Sequence, residues 1–439
     1  MTWIIKLCEV EDGKRRERTV FTLGEVGAPI SIDDVGLSLE EGKAVMAAIQ
    51  RAVVSIQSSA LAEYARTKVR NGTGAVLKDY RRRRIQTAYG TAELKVPRFE
   101  NDGSVEPCTN WPANCRSTPE FDTLRARLSA WMSYRAAERL LGELLPIEGG
   151  RHHTTFRNRI LIEGAVTDRA SDVRTPETAA KKLNLGLDCT YIRSNDPTEG
   201  RLHEVFFGHI EPDAGNSRVF SSIGENGPDR SRRIRRNLEK AGLTDVTSVS
   251  TFTDGGNGLR ELARGSGVTE KPILDWHHIA QRLQHVRQAA AGLTTSVPDL
   301  PEVTAKIIDE VERLRWRLWH GKPNAVSEAL AKIRPLIKTR RRPSKQRRPL
   351  RPWNTLMSSL YFLRKYTGGQ EAWMINYAQR HRRGDRVGTS QTESAANSLV
   401  NKRMNKSQQM RWSSTGAHCL LQVRAAIING DLAPCSLQN

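Results

Sequence analysis

The chain is predicted to be an α/β protein: a mixed sheet with helices, flanked and interrupted by helical segments. Three observations predict it. Residues 183–223 carry three short apolar runs (LNLGLDCTYIR, HEVFFGHI and RVFSSI) joined by polar turns, the pattern of hairpin-linked strands. Two strand–helix units follow, SVSTFTD with a short helix and KPILD with a helix beginning WHHIAQRLQHV, which together suggest a sheet of about five strands. From about Glu302 onward the apolar residues recur at helical spacing, over 302–337, 355–365 and 371–380.

The rest of the chain is read in order. Residues 2–25 form a small β element. Ser38 and Glu41 resemble a capping box opening a helix to Lys68, with Val45, Ile49, Val53 and Ile56 on its apolar face. Asp79 to Phe99 reads as a hairpin turning at Tyr89-Gly90. Its arginines, Arg81, Arg82, Arg83 and Arg84, either track phosphates or form a solvated strand face. Cys108 and Cys115 frame a loop whose spacing is wider than a usual zinc knuckle. Ser117 to Glu120 is a second capping box. A helix through LRARLSAWM, a second through YRAAERLLGELL and a third from Thr155 to Ala170 follow, separated by short turns. Arg157, Asn158 and Arg159 near the start of the third helix are where a helix-turn-helix reader places its contacts; an ordinary bundle with exposed arginines is the competing reading. The expected divisions are 1–116, 117–176, 177–290, 291–388 and 389–439.

Charge narrows the partner. Lys and Arg total 69 against 48 acidic residues, a formal charge of +21 with pI near 10.1, so a polyanion is attracted over distance. Nucleic acid comes first and an anionic membrane second. No apolar run of about 18 residues stands out, so no spanning segment is expected. The N-terminus lacks the plan of a signal peptide, which makes the cytoplasm the expected compartment. The six scattered cysteines fit reduced thiols better than a disulfide framework. Between Lys338 and Arg351 the basic residues, among them Arg340, Arg341, Arg342, Arg347 and Arg348, have no acidic neighbour.

The chemistry starts from Asp188, one carboxylate inside an apolar strand, where burial is costly unless something pairs or coordinates it. Asp254 ends the fourth strand, and if the first and fourth strands are neighbours the two carboxylates converge. Oxygen ligands without clustered cysteine or histidine suit Mg²⁺ or Mn²⁺, and two such ions promote phosphodiester displacement. Glu393, amid small residues on a helix, supplies the third acid. The three carboxylates are expected within roughly 4–8 Å of one another.

Here the sequence resembles a known family. The Asp188 strand, TFTDGGNG, DWHHIAQRL, TESAANSLVNKRM and the closing QQMRWSSTGAHCLLQVRAA are similar to the Kra-type family of bacterial insertion-sequence transposases, DDE enzymes more distantly related to the Mutator-like group. The likeness covers residues 183–280 and 389–428 strongly and the N-terminal third loosely. It implies an RNase H-like core broken by an all-α insertion, with Asp188, Asp254 and Glu393 binding two Mg²⁺ or Mn²⁺ ions. It further places the family's Asp-x-x-His element on Asp275 and His278, with His278 beside the active site, and assigns no role to His277. Double-stranded DNA is the implied substrate, as terminal inverted repeats and as target, and a homodimer or larger assembly is implied. The basic insertion reads as a DNA-binding arm, Lys402, Arg403 and Arg411 as further contacts, and Trp412 as a ring that could stack on an unpaired base. Trp316, Trp319, Trp353 and Trp373 are expected to anchor helices in the core. A structure-specific nuclease using the same triad, or a DNA-binding protein without catalysis, are the rival readings.

Overall fold

The computed structural model describes residues 2–11, 14–25, 28, 31–32, 35–70, 76–101, 104–109, 111, 115–147, 152–169, 179–296, 301–338, 351–405 and 410–432. The chain divides into two compact units, residues 1–165 with 432–439, and residues 166–431. The helices expected over 117–176 therefore fall, up to Ala165, in one unit with the N-terminal strands.

In the first unit β1 (Thr2–Glu11) and β2 (Lys14–Glu25) form an antiparallel hairpin. The long helix α1 (Leu39–Arg70) follows, and Ser38 and Glu41 cap it reciprocally: the Ser38 N–H donates to Glu41 Oε2 at 2.8 Å, and the Glu41 N–H to Ser38 Oγ at 3.2 Å. Its buried side is made of alanines, Ala48, Ala52 and Ala65, while Ile49, Val53 and Ile56 face outward. The expected apolar stripe is thus on the wrong side, because small residues let the helix lie close to a sheet. By length and composition α1 is also long and apolar enough to cross a membrane, contrary to the expectation that no segment is.

The sheet it covers joins β3 (Val76–Thr87), β4 (Gly90–Asn101) and β5 (Ser104–Pro107), antiparallel throughout. Next come α2 (Pro119–Trp131), α3 (Tyr134–Leu144) and α4 (His153–Arg169). Thr118, not Ser117, caps α2, accepting from the Phe121 N–H at 3.4 Å; Pro119 occupies the first helical position, which fixes the boundary there. Phe121, Ala137, Leu141 and Phe156 form the core of these helices.

The second unit is built on a five-stranded mixed sheet: β6 (Lys182–Arg193), β7 (Leu202–Pro212), β8 (Arg218–Ile223), β9 (Ser248–Thr253) and the short β10 (Ile273–Leu274). The order is β10-β9-β6-β7-β8. The first three strands pair antiparallel, and β9 then returns beside β6 in parallel, followed by β10. Leu183, Leu185 and Leu187 alternate onto one face of β6 and pack with Ile234 and Leu238 of α5 (Gly227–Lys240) and Leu259 and Ala263 of α6 (Asn257–Gly265). The other face of β6 is left to Asn184, Gly186 and Asp188.

From Trp276 the chain turns helical, in α7 (Trp276–Ser296), α8 (Pro301–Trp319), α9 (Ala325–Lys338) and α10 (Arg351–Thr367). Their core is continuous with Phe252, Ile273 and Leu274 of the sheet, so α7 runs through the boundary expected at 290. The single helix expected over 371–380 is instead a turn at Glu371–Trp373 and a short α11 (Tyr377–Arg382), since Asn376 caps a new start by accepting from the Gln379 N–H.

The closing elements are α12 (Ser390–Ala396), a π-helical stretch Asn397–Asn405 and α13 (Ser414–Asn429). Widening the helix frees carbonyls, and Arg424 of α13 takes two of them, donating to Leu399 O at 2.6 Å and to Ser398 O. The same helix closes the open edge of β8: Asn429 bonds both the N–H and the carbonyl of Val219, Gln422 donates to Ser221 O, and His418 Nδ1 accepts from the Ile223 N–H.

Candidate active site at the sheet edge

Asp188 lies on the face of β6 opposite the leucines, and Asp254 follows β9 directly, so parallel pairing of β6 and β9 brings both to one end of the sheet. Glu393 arrives on α12, which packs against β6 and β7. Gly186 permits this approach. A Cβ there would overlap Thr392 Oγ1 and stand 2.9 Å from Thr389 Cγ2, so only glycine lets α12 settle on the strand two residues before Asp188.

Burial pushes the Asp188 carboxyl up to about 6; the Cys189 N–H, donating at 2.7 Å, and His278 oppose this, while the charges of Asp254 and Glu393 add to it. Asp254 is held by the Gly256 N–H at 3.0 Å, in a loop that Gln370 reaches by donating to Gly255 O at 3.1 Å. Glu393 is held from α7: His277 Nε2 lies 3.3 Å from its Oε1, and Gln281 Nε2 donates to the same oxygen at 3.2 Å. His277, given no role from sequence, thus touches the third acid.

Asp275 is completely buried and fastens two helix starts together. Its Oδ1 accepts from the His277 N–H at 2.8 Å and the Thr389 N–H at 3.0 Å, and the Thr389 hydroxyl donates to Oδ2. Gly388 is needed beside it, since a Cβ there would come 2.6 Å from Oδ1. His278 Nε2 stands 3.6 Å from Asp275 Oδ2. Asp275 therefore sets the start of both α7 and α12, the helices carrying His277, Gln281 and Glu393.

The donor set fits hard divalent ions. Three carboxylates from three segments offer oxygen alone, the ligand such a cation prefers. A group of possible ligand atoms all within 4.8 Å of one another lies elsewhere, at Asp168, Glu225 and His418. Arg233 already supplies its positive charge: the guanidinium donates to Asp168 at 2.6 Å and to Glu225, and to Gln422 Oε1 at 3.0 Å. His418 Nε2 is 3.3 Å from Asp168, and these contacts hold the Asp168 carboxyl far below the usual carboxylate range. This is an ion-pair network joining α5 to α13. The other arginines of α5 are also engaged, Arg230 with Glu204, Arg232 with Asp229, Arg235 with Glu239 and Arg236 with the Asp168 carbonyl.

The expected DNA contacts divide. Arg157, Asn158, Lys402 and Arg411 are exposed. Arg159 is committed inward, to Asp122 at 3.0 Å and to Glu163. Arg81 is exposed, Arg82 and Arg84 flank Glu93 at 3.5 and 3.7 Å, and Arg83 donates to Cys115 O at 3.3 Å. Two readings are corrected. Arg403 is fully buried, against Met410 Sδ and over the Trp412 ring at 5.0 Å. Trp412 is 5 % exposed, donates from Nε1 to Met404 O, and bridges β6 through Asn195 and Arg193, so it is a structural anchor unable to stack on a base. Of the expected core tryptophans Trp353 is buried and Trp319 and Trp373 are half-buried, but Trp316 is exposed. Arg340, Arg341, Arg342, Arg347 and Arg348 lie outside the described residues. Cys115 Sγ contacts Ser117 O, and burial pushes the Cys108 thiol up; Cys8, Cys108, Cys115, Cys189 and Cys419 are free thiols.

No protein-family model matches this chain. No curated protein matches it either.

Proposed function

We propose that the chain is a DNA transposase with an RNase H-like core, acting through Asp188, Asp254 and Glu393. The observation that carries the reading is the pairing of β9 beside β6, with Asp188 on one strand, Asp254 directly after the other and Glu393 on the helix packed against β6. The strand order β10-β9-β6-β7-β8, three antiparallel strands and then two parallel additions, supports the fold that the family resemblance implies.

Asp188, Asp254 and Glu393 would hold Mg²⁺ or Mn²⁺, which supplies a Lewis acid for the attacking and leaving oxygens. The residues around them position and balance charge. His277 and Gln281 fix the Glu393 carboxylate, Asp275 sets the helix that carries it, and the Cys189 N–H orients Asp188. In hydrolysis a water oxygen bonds to phosphorus and the P–O3′ bond breaks, leaving a 3′-hydroxyl and a 5′-phosphate. In transfer the freed 3′-hydroxyl attacks a target phosphodiester in the same way. Exposed Arg81, Arg157, Asn158, Lys402 and Arg411 would meet the DNA backbone.

The test is strand transfer with Mg²⁺ and pre-cleaved element ends. Joined product is expected from the wild type and none from Asp188→Asn, Asp254→Asn or Glu393→Gln. Cutting without joining would replace this reading by a nuclease, and retained joining in the variants would remove the triad.

A further inference from the structure

Asp254 is loosely held by its own segment. Gly255 and Gly256 follow it directly; Gly255 stands at φ +99°, and Gly256 begins α6 without a side-chain cap. Two glycines in succession leave a loop many conformations, and within it the Gly256 N–H, at 3.0 Å, fastens the carboxylate. A metal ligand on such a loop needs support from elsewhere in the fold. We propose that Gln370, just past α10, is a positioning residue for Asp254: its amide ties the loop to the helical segment α7–α10. The inference rests on the transposase reading for the reaction it serves and on the hydrogen bonds alone for the tie.

Both ends of the one amide are used. Gln370 Nε2 donates to Gly255 O at 3.1 Å, and Gln370 Oε1 accepts from Arg260 Nη2. Arg260 fixes which way the amide points, since a guanidinium offers donors alone and would meet the NH₂ of a flipped amide with no acceptor. The arginine is itself held. It is buried, its Nη1 donates to Asn257 Oδ1 at 3.3 Å, and its guanidinium lies 3.8 Å from the centre of the Trp373 ring. Gly255 accommodates the contact: a Cβ there would come 3.2 Å from Leu274 Cδ1 and 3.4 Å from Gln370 Cδ, at a φ that other residues rarely adopt.

Gln370 is in turn placed by α10. Its N–H donates to Thr367 O at 3.1 Å, its carbonyl accepts from the Trp373 N–H at 3.0 Å, and the buried Thr367 hydroxyl donates to Leu363 O at 3.0 Å. Leu356, Leu360 and Leu363 of α10 share a core with Leu283 and Val286 of α7. The helices therefore reach the acid through a short chain of fixed groups, from α10 to Gln370 to Gly255, the residue next to Asp254. With α10 displaced, the loop would keep its glycines and lose this anchor. Only an amide serves at 370. A carboxylate would keep the Arg260 bond but face the Gly255 carbonyl with a second acceptor, and a thioether would keep the bulk and neither strong bond.

The experiment compares the full chain with Gln370→Glu and Gln370→Met. Thermal unfolding in a Mg²⁺ series gives the concentration for half-maximal stabilisation, hydrogen exchange in EDTA follows residues 254–258, and strand transfer gives kcat and the KM for DNA. Both variants are expected to need about tenfold more Mg²⁺, to exchange faster across the loop, and to lose kcat with KM unchanged. The sign in Gln370→Glu separates position from charge, since a negative charge added near Asp254 would by itself tighten Mg²⁺. A Mg²⁺ requirement equal to wild type in both variants, or lowered in Gln370→Glu, overturns the tie; so does unchanged loop exchange. A wild type that neither responds to Mg²⁺ nor joins ends, with loop exchange still faster in both variants, overturns the transposase reading and keeps the tie.

Discussion

Replacing Asp188 by Asn should make the metal-free protein more stable at neutral pH while abolishing the proposed activity. The carboxyl sits near 6 in the folded chain against an ordinary 3.8, chiefly because burial penalises its charge. A carboxyl raised on folding binds its proton more tightly in the native state, so its contribution to stability is full below pH 3.8 and is lost as pH rises through about 6. A shift of roughly two units corresponds to at most about 3 kcal/mol. Part of it is shared with His278, Asp254 and Glu393, so about 1–2 kcal/mol is expected for Asp188→Asn at pH 7.5. The amide preserves the acceptor for the Cys189 N–H. Urea unfolding in EDTA from pH 4 to 8 should show the variant gaining on the wild type as pH rises, with no difference near pH 4. Added Mg²⁺ should reverse the order by stabilising the wild type alone. A variant that is less stable than wild type in EDTA at pH 7.5, or a difference flat with pH, would refute the buried-charge argument.

Gly186→Ala should push α12 off β6, costing about 1–3 kcal/mol and the Mg²⁺ stabilisation together; melting curves with and without Mg²⁺ read both. Arg233→Met should cost about 3–5 kcal/mol in denaturant unfolding, because it leaves Asp168 and Glu225 without their buried cation. The Asp168 carboxyl is held low by His418 and Arg233, so its contribution is present at neutral pH and lost as pH falls below the ordinary carboxylate range; Asp168→Asn should flatten that part of the acid limb. Arg424→Met should lose about 1–3 kcal/mol by stranding the Ser398 and Leu399 carbonyls. Arg157→Ala should weaken DNA binding and lower its salt dependence with stability unchanged, whereas Arg159→Ala should lower stability; equal effects on binding would overturn the division drawn between them.

The sheet was legible because its strands carry local patterns. Leu183, Leu185 and Leu187 alternate along β6, and polar turns separate the runs that became β7 and β8. Asp188 stood out as an acid in an apolar strand, and Asp254 as the last residue of another. Arginine roles were not legible, since an ion pair between α5 and a segment 65 residues away, such as Arg233 with Asp168, leaves no spacing signal in either helix. The same limit misplaced Arg403 and Trp412. Arg403 lies within the π-helical stretch, buried against the Trp412 ring, while its neighbour Lys402 faces out.

The sequence by itself determined the alternation of strands and helices, the basic charge and three acids in order. Only the tertiary structure decided which neighbours those acids meet. Parallel pairing of β9 with β6 brought Asp254 to the end of the strand that holds Asp188. The absence of a side chain at Gly186 let α12 lie against that strand, and the buried Asp275 fixed where α12 begins, placing Glu393 against His277 and Gln281. Periodicity records which face of an element avoids water. Which two faces meet depends on close packing and hydrogen bonds between segments distant in the chain.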